Sequence, residues 1–196
     1  MCERCGWCLD GGLLQRYHDE EWGVPVHDDQ KHFEYLTLEV MQCGLNWKMM
    51  LQKREIFRQC FENFDYNKIA GYDKSRVQEI LETDGMIRSP RKINAVIGNA
   101  RAFQKIIAEN GSFDRFLWRF SGNQIMVYPS HQSGLVARNA LSDQVSKALK
   151  KEGFRFLGSV TVYSYLQSCG VINDHAQSCY RYAQLLKVGQ VCRQEE

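Results

Sequence analysis

The stretch DGMIRSPRKINAVIGNAR, residues 84–101, decides the fold of this 196-residue chain. A turn glycine, Gly85, comes before two apolar residues that can anchor a hairpin. Ser89 and Pro90 then match the N-cap and the first position of a helix, where proline lacks only an N–H that has no helical partner. The pattern predicts two helices joined by a tight hairpin. On this stretch alone, a plain helical hairpin with no binding role remains open.

The same hairpin carries positive charge beside a helix start. Arg88, Arg91 and Lys92 surround the predicted N-terminus, although the formal net charge of the whole chain is only +2. Backbone N–H groups and the helix dipole favour an anion at such a position. A DNA phosphate would be contacted there without regard to base sequence. We therefore predict a DNA-contacting surface at Gly85, Arg88, Arg91 and Lys92.

Helical periodicity extends over most of the chain. Apolar stripes behind polar caps predict helices at 29–43, 47–61, 73–84, 89–109, 112–120, 141–151 and 159–169. Residues 121–138 lack a period and predict an irregular connection, and no alternating strand pattern persists. The predicted fold class is all-α. We expect one domain of two helical lobes over residues 1–186, followed by a disordered tail over residues 187–196.

Composition indicates a folded, soluble, cytoplasmic protein. Hydrophobic residues make up 44% and charged residues 24% of the chain. No apolar run approaches the roughly 20 residues that cross a bilayer, and the N-terminus does not resemble a secretory signal. We therefore expect no membrane partner, and we expect a monomer. In a reducing compartment the eight cysteines are buried thiols, metal ligands or reactive groups rather than disulfides.

Cysteine and histidine near both chain ends suggest a metal site. The candidate ligands are Cys5, His18, His175 and Cys179. A histidine four residues before a cysteine places both side chains on one face of a helical turn, and a Cys₂His₂ set favours a closed, structural zinc site. Spacing alone leaves open that these are buried thiols and loop histidines. Cys2 and Cys8 also compete for the role of Cys5.

The stretch LEVMQCGLNW, residues 38–47, combines a carboxylate with an apolar turn. Glu39 falls at the edge of an apolar helical stripe, about 40° from Cys43, and could face a cavity. Gly44 and Leu45 form a tight tip between two helices. The aromatic candidates for a stacking pocket are Tyr17, Trp7, Trp22 and Trp47. A solvated glutamate and core aromatic residues are the alternatives.

Several stretches, taken in order, resemble the 3-methyladenine DNA glycosylase I family. They are ERCGW (3–7), YHDEEWGVP (17–25), LEVMQCGLNW (38–47), the hairpin stretch (84–101), KKEGFRFLG (150–158) and CGVINDH with a following cysteine (169–179). The resemblance runs from about residue 2 to 182. It implies a helix–hairpin–helix glycosylase fold. It also implies a monofunctional enzyme that flips 3-methyladenine out of alkylated double-stranded DNA, hydrolyses its N-glycosidic bond and leaves an abasic site.

The resemblance also implies roles for individual residues. One structural Zn²⁺ would join the N- and C-terminal segments through Cys5, His18, His175 and Cys179. Tyr17, Glu39 and Trp47 would form the base pocket with Trp7 and Trp22 nearby, and Gly44 and Leu45 would enter the gap left by the flipped nucleotide. As the catalytic residue, Glu39 would first recognise the exocyclic amine and then stabilise the sugar cation. Other helix–hairpin–helix glycosylases carry a catalytic aspartate soon after the hairpin, whereas residues 94–110 contain none.

The chain departs from the family pattern in three places. Leu14 replaces an aromatic residue, Asn46 stands where serine is common, and Pro90–Arg91 stands where a glycine can occur. Loss of a stacking partner could admit another N3-alkylated purine, such as 3-methylguanine. A zinc-stabilised DNA-binding module without catalysis is a further alternative. A zinc hydrolase is disfavoured because protein ligands would fill every metal position.

Overall fold

In a computed structural model, described for residues 3–9, 11–128, 134 and 136–194, the chain is mostly helical. The α-helices are α1 Gly12–Glu20, α2 Asp29–Gln42, α3 Trp47–Cys60, α4 Tyr66–Ile69, α5 Lys74–Glu82, α6 Pro90–Asn110, α7 Phe113–Trp118, α8 Ala140–Lys151, α9 Ser159–Ser168 and α10 Tyr180–Leu185. Short 3₁₀ segments occupy Gly6–Cys8, Glu62–Phe64 and Arg119–Ser121, and two strands, β1 Ile125–Val127 and β2 Val191–Arg193, complete the elements. Within the described ranges, no helix is long and apolar enough to cross a membrane.

Polar caps set the starts of the main helices. The side chains of Asn46, Asp73, Ser89 and Ser112 each accept a hydrogen bond from a backbone N–H in the first turn of α3, α5, α6 and α7. Such a bond satisfies a donor that has no partner inside the helix. The predicted starts of these helices are confirmed.

Helix α2 is the central element of the core. Its residues are buried from His32 to Met41, and it packs against α3, α6, α7 and α9. Phe33 meets Phe103 with ring centroids 5.2 Å apart, and Phe103 stacks on Phe113 at 4.2 Å. Close packing against these four helices fixes the position of α2. A side chain near its C-terminal end therefore has a fixed orientation.

The turn between α5 and α6 requires glycine. Gly85 has a φ of 75°, and a Cβ there would lie 2.7 Å from Ile56 Cδ1. Lys53 Nζ donates a hydrogen bond to the Gly85 carbonyl. Met86, the next residue, is buried in the core. The predicted pair of helices with a tight, apolar-anchored turn is therefore present.

Two predictions of irregular structure are wrong. β1 lies inside the predicted connection at 121–138, and β2 lies inside the tail predicted to be disordered. The strands pair in parallel as Ile125 with Val191, Met126 with Cys192 and Val127 with Arg193. The Gln190 carbonyl accepts from the Ile125 N–H at 2.7 Å, and the half-buried Val191 and Cys192 pack on the core. Residues 129–133 and 135 of the predicted connection, and residues 195 and 196 of the tail, lie outside the described ranges.

Candidate functional site

A cavity of about 690 Å³ gathers the residues predicted to bind a base. Trp7 comes from the first 3₁₀ segment, Tyr17 from α1, Trp22 from the turn after α1, Glu39 from α2 and Trp47 from the first turn of α3. All five line the cavity. The sequence stretches that supply them are separate, so the fold brings the predicted set together.

Aromatic rings form much of the cavity wall. The Tyr17 and Trp47 ring centroids lie 5.4 Å apart with the planes at 51°. Trp7 and Trp22 meet edge to face at 5.0 Å, and Trp7 is 41% exposed. Tyr17, by contrast, is buried. A cavity walled by rings, with one of them at the surface, suits a flat apolar ligand that enters from solvent.

Glu39 lies deep in this cavity and is only 2% exposed. Burial raises the pKa of its carboxyl group to about 8. Its Oε2 atom and the Trp47 Nε1 atom are both buried, and neither has a hydrogen-bond partner among the described residues. Buried polar groups are ordinarily hydrogen-bonded, so this pair indicates a place for a ligand with polar atoms on its edge.

Four polar residues that were not predicted from the sequence also line the cavity. Gln42 lines the cavity from the last turn of α2, Tyr163 and Gln167 from α9, and Asp174 from the loop before α10. The Asp174 Oδ2 atom accepts hydrogen bonds from the Tyr163 hydroxyl at 2.9 Å and from the Gln167 amide at 2.5 Å. The one available sequence signal was the position of Asp174 next to His175.

The four predicted metal ligands form a buried cluster. Their ligand atoms all lie within 4.8 Å of one another. Cys5 Sγ lies 3.5 Å from His175 Nδ1, and Cys179 Sγ lies 3.4 Å from His18 Nε2. Zinc bonds of about 2.3 Å to sulfur and about 2.0 Å to nitrogen separate tetrahedral ligands by about 3.6 Å. The cluster thus has the donor set and the spacing of a tetrahedral Cys₂His₂ site.

Outer contacts orient both histidines toward this cluster. His18 Nδ1 pairs with Asp19 Oδ1 at 2.8 Å, and His175 Nε2 pairs with the Trp22 carbonyl at 3.0 Å. Each ring therefore directs its second nitrogen to the centre, as metal-binding histidines do. Burial lowers the pKa of His175 to about 3, which keeps that ring neutral.

Cys8, one of the two competing cysteines, does not replace Cys5. The Cys8 thiol is buried, but it donates a hydrogen bond to the Cys5 carbonyl at 3.1 Å and does not belong to the cluster. Cys2 lies outside the described residues. The cluster also contacts the cavity directly, because the Trp22 ring packs on His175 with centroids 4.4 Å apart. A group bound by the cluster would hold this wall in place.

The predicted DNA-contacting tip lies between α2 and α3. Gly44 has a φ of 81°, and Leu45 beside it is an exposed apolar side chain. Arg88 and Arg91 are exposed at the turn before α6 and on its first residues. The geometry leaves all of these surfaces accessible to a large partner.

Lys92 points away from that surface. It is buried, and its Nζ donates to the carbonyls of Met41 at 2.7 Å and Cys43 at 2.8 Å. A cation at the end of α2 satisfies carbonyls that have no helical partner. The prediction that Lys92 contacts DNA does not fit the structure, since its ammonium group caps α2 from inside the protein.

The sequence of this chain is similar to those of known proteins along most of its length. The model of the methyladenine glycosylase family matches residues 7–182. This chain belongs to that family. The DNA-3-methyladenine glycosylase 1 of Escherichia coli (strain K12) is 42% identical over 181 residues, which make up 92% of this chain and 97% of the relative. The family resemblance inferred from the motifs is confirmed.

Solved structures of family members have the same fold. A crystal structure of 3-methyladenine DNA glycosylase I matches with a TM-score of 0.85 and 40% identity, over 91% of this chain and 98% of that one. The Staphylococcus aureus 3-methyladenine DNA glycosylase I, solved to explain 3-methyladenine recognition, matches with a TM-score of 0.85 and 30% identity, over 90% and 95% of the two chains. The mostly helical architecture is that of the family.

Proposed function

We propose that this protein is a DNA repair glycosylase that hydrolyses the N-glycosidic bond of 3-methyladenine in alkylated double-stranded DNA. The main support is that two buried polar atoms at the cavity floor, Glu39 Oε2 and Trp47 Nε1, have no hydrogen-bond partner among the described residues. Adenine presents an amine donor beside a ring-nitrogen acceptor. Glu39 would accept from the amine, and Trp47 would donate to the ring nitrogen. Family membership supports the same substrate class.

Stacking and charge select the methylated base. A base methylated at N3 is cationic, and a cation gains from aromatic faces such as those of Tyr17 and Trp47. The positive charge also weakens the glycosidic bond, because the base leaves as a neutral molecule. Strong acid catalysis is therefore unnecessary. Extrusion of the base from the duplex costs a few kcal/mol, and the cost is lower for damaged bases.

The cavity supports simple hydrolysis rather than amine catalysis. None of the described residues that line it is a lysine, the residue that forms covalent imines with sugars in amine-dependent reactions. Water is then the nucleophile, and the product is an abasic site with its strand unbroken. This agrees with a monofunctional enzyme.

DNA would be held by the tip and by the turn before α6. Leu45 is exposed and follows the turn that the positive φ of Gly44 makes. Its apolar side chain can insert into the gap left by a flipped nucleotide. Gly85, Arg88 and Arg91 would contact phosphate as the hairpin of a helix–hairpin–helix motif. Lys92 takes no part in this contact, because it is engaged inside the protein.

We propose that the cysteine–histidine cluster binds one structural Zn²⁺. The ligands are Cys5, His18, His175 and Cys179. Softness of the two thiolates and tetrahedral spacing favour zinc. The ion would cross-link the N- and C-terminal segments. Four protein ligands would fill its coordination sphere and leave no position for a catalytic water. Metal content of purified protein tests this: Cys179→Ser should lower the zinc content, whereas Cys169→Ser, at a buried thiol of the core, should leave the zinc content unchanged. Metal-free wild-type protein of unchanged stability would contradict the site.

The proposed activity is tested by release of free bases from methylated duplex DNA, separated by chromatography. Wild-type protein should release 3-methyladenine. Glu39→Gln should lower its release about 10- to 100-fold, the worth of a hydrogen bond to a charged group. Glu109→Gln, on an exposed residue of α6, is the matched control and should act as wild type. No release by folded wild-type protein would overturn the proposal.

The two alternative functions predict different results in this assay. A DNA-binding module would bind duplex DNA without regard to lesions and would tolerate Glu39→Gln, but it gives no reason for an unsatisfied carboxylate at the cavity floor. A wider lesion range was predicted from Leu14. Leu14 is not among the described residues that line the cavity, so no contact in the structure favours that range.

A further inference from the structure

Glu39 is not the only acid in the cavity. Among the described residues that line it, Asp174 is a second acid, and the two differ in depth. Glu39 is almost fully enclosed, whereas Asp174 is half-buried. A base that reaches Glu39 and Trp47 fills the floor of the cavity. The sugar attached to that base must then lie farther from the enclosed Glu39, toward the more exposed lining residues, which include Asp174.

Two side chains of α9 hold the Asp174 carboxyl group in place. Its Oδ2 atom accepts from the Tyr163 hydroxyl at 2.9 Å and from the Gln167 amide at 2.5 Å. All three residues line the cavity, so the carboxyl group is fixed in its wall. Burial raises the pKa of Tyr163, which keeps that phenol a donor. The floor of the cavity differs, since no described residue donates a hydrogen bond to Glu39 Oε2.

The reaction needs negative charge near the sugar. When the C1′–N9 bond breaks, its electron pair leaves with the purine and neutralises the base. Positive charge then develops on C1′ and the ring oxygen of the sugar. A fixed negative charge near that position stabilises the transition state more than the ground state. Helix α6 carries no aspartate that could take this role after the hairpin.

We infer that Asp174 is a second catalytic residue, whose carboxylate faces the sugar and stabilises the cation formed as 3-methyladenine leaves. This inference rests on the proposed function. Water then adds to C1′ and releases one proton to solvent, which leaves a neutral base and an abasic sugar with a hydroxyl at C1′. Glu39 acts on the base, and Asp174 acts on the sugar. Tyr163 and Gln167 are positioning residues that hold the carboxylate.

Two measurements separate a role at the sugar from a role at the base. The first is the single-turnover rate of 3-methyladenine release from methylated duplex DNA with enzyme in excess. The second is the affinity for free 3-methyladenine, which has no sugar. Asp174→Asn should lower the rate about 100-fold and leave the affinity for the free base unchanged. Glu39→Gln should lower both.

Controls address the nearby ligand His175. Metal content and thermal stability of Asp174→Asn should match those of wild type. If that variant fails to fold, Tyr163→Phe and Gln167→Met decide, because they remove donors to the carboxylate without changing the ligand loop. Each should slow release about 10-fold, as the loss of one hydrogen bond to a charged group predicts, and should leave free-base affinity unchanged.

The remaining outcomes overturn the inference in distinguishable ways. A wild-type release rate in Asp174→Asn, or in both donor variants if it does not fold, would show that the carboxylate does not act on the sugar. Loss of free-base affinity equal to that of Glu39→Gln would assign Asp174 to base recognition instead. No release by the wild-type protein itself would overturn the proposed function and this inference together.

Discussion

Arg54 and Glu21 form a bidentate ion pair, with Nη1 and Nη2 of the guanidinium each 2.8 Å from a carboxylate oxygen. Arg54 also donates through Nε to the buried Glu34 at 2.6 Å, and the Tyr35 hydroxyl donates to Glu21 at 3.2 Å. Glu21 follows α1, Arg54 belongs to α3, and Glu34 and Tyr35 belong to α2. The three helices that carry Tyr17, Trp47 and Glu39 are thus fastened together at one point behind the cavity.

Arg54→Met should lower the free energy of unfolding by about 2–3 kcal/mol, because Glu34 loses its shortest charged hydrogen bond and keeps only Lys31 and Arg58 as partners. Urea denaturation measures this loss. Arg16→Met removes the exposed Arg16–Glu20 pair and is the control, with an expected loss below about 1 kcal/mol. Equal losses in the two variants would show that the cluster behind the cavity contributes no more than a surface pair.

Lys92→Met should destabilise the protein by about 1–3 kcal/mol, because the carbonyls of Met41 and Cys43 lose their buried donor. Its effect on the salt dependence of duplex binding should be small. Arg91→Met should do the reverse, leaving stability unchanged and reducing the salt slope by about 0.9, the value for one phosphate contact. A reduced salt slope for Lys92→Met would instead return that lysine to the DNA surface.

The value of kcat/KM should rise with pH as Glu39 ionises. Burial raises the pKa of this carboxyl group to about 8, so the free enzyme carries it mostly protonated at neutral pH. The ionised form accepts more strongly from the exocyclic amine, and only this form attracts the cationic base through its charge. Initial rates at low substrate should therefore reach half their maximum near pH 8 and level off about one pH unit above it. A flat profile in wild type, or the same rise in Glu39→Gln, would contradict this role.

The raised pKa of Glu39 also predicts how stability depends on pH. Activity should rise with pH, whereas the stability of the folded protein should fall. The unfolded chain ionises Glu39 near its ordinary value of 4.5, and the folded chain does so near 8. Between these values the folded state binds more protons, so its stability falls as pH rises. Thermal melts should show Glu39→Gln gaining on wild type across this window. A constant difference between the two would mean that the carboxyl group is hydrated in the folded protein.

Deletion of residues 190–196 should lower stability by about 1–2 kcal/mol while 3-methyladenine release persists. It removes the Gln190 carbonyl and the Gln194 N–H, which bond the two ends of β1 at 2.7 and 3.0 Å. Thermal unfolding measures the change. Deletion of residues 195 and 196 alone should leave stability unaltered. If the longer deletion is equally harmless, β2 is not a structural part of the fold.

Local signals were sufficient for seven helices, whereas α1, α4 and α10, all of nine residues or fewer, were not predicted. Asn46, Asp73 and Ser89 cap as predicted, because capping depends on a few neighbouring residues. The strands β1 and β2 were missed because three residues cannot show an alternating pattern, and their pairing joins segments more than 60 residues apart in the sequence. Strand pairing at that distance depends on the finished core rather than on local preference.

Side-chain direction explains the remaining differences at the site. The stripe on α2 indicated that Glu39 could face a cavity, and it does. For Lys92, its place at a helix start suggested a phosphate contact, but the carbonyl end of α2, supplied 49 and 51 residues away in sequence, captures its ammonium group. Asp174 showed no local pattern of its own, since its donors come from α9 and its role depends on the shared cavity.

The cysteine–histidine cluster has a consequence for synthesis of the protein. Its residues come from distant parts of the chain, because Cys5 and His18 precede His175 and Cys179 by more than 150 residues. The ribosome delivers the two halves far apart in time, and domains otherwise tend to fold from the N-terminus as they emerge. Tyr17 and Trp22 therefore stay without their final support until translation is nearly complete. A nascent chain has no working pocket, and a prematurely terminated one never acquires it.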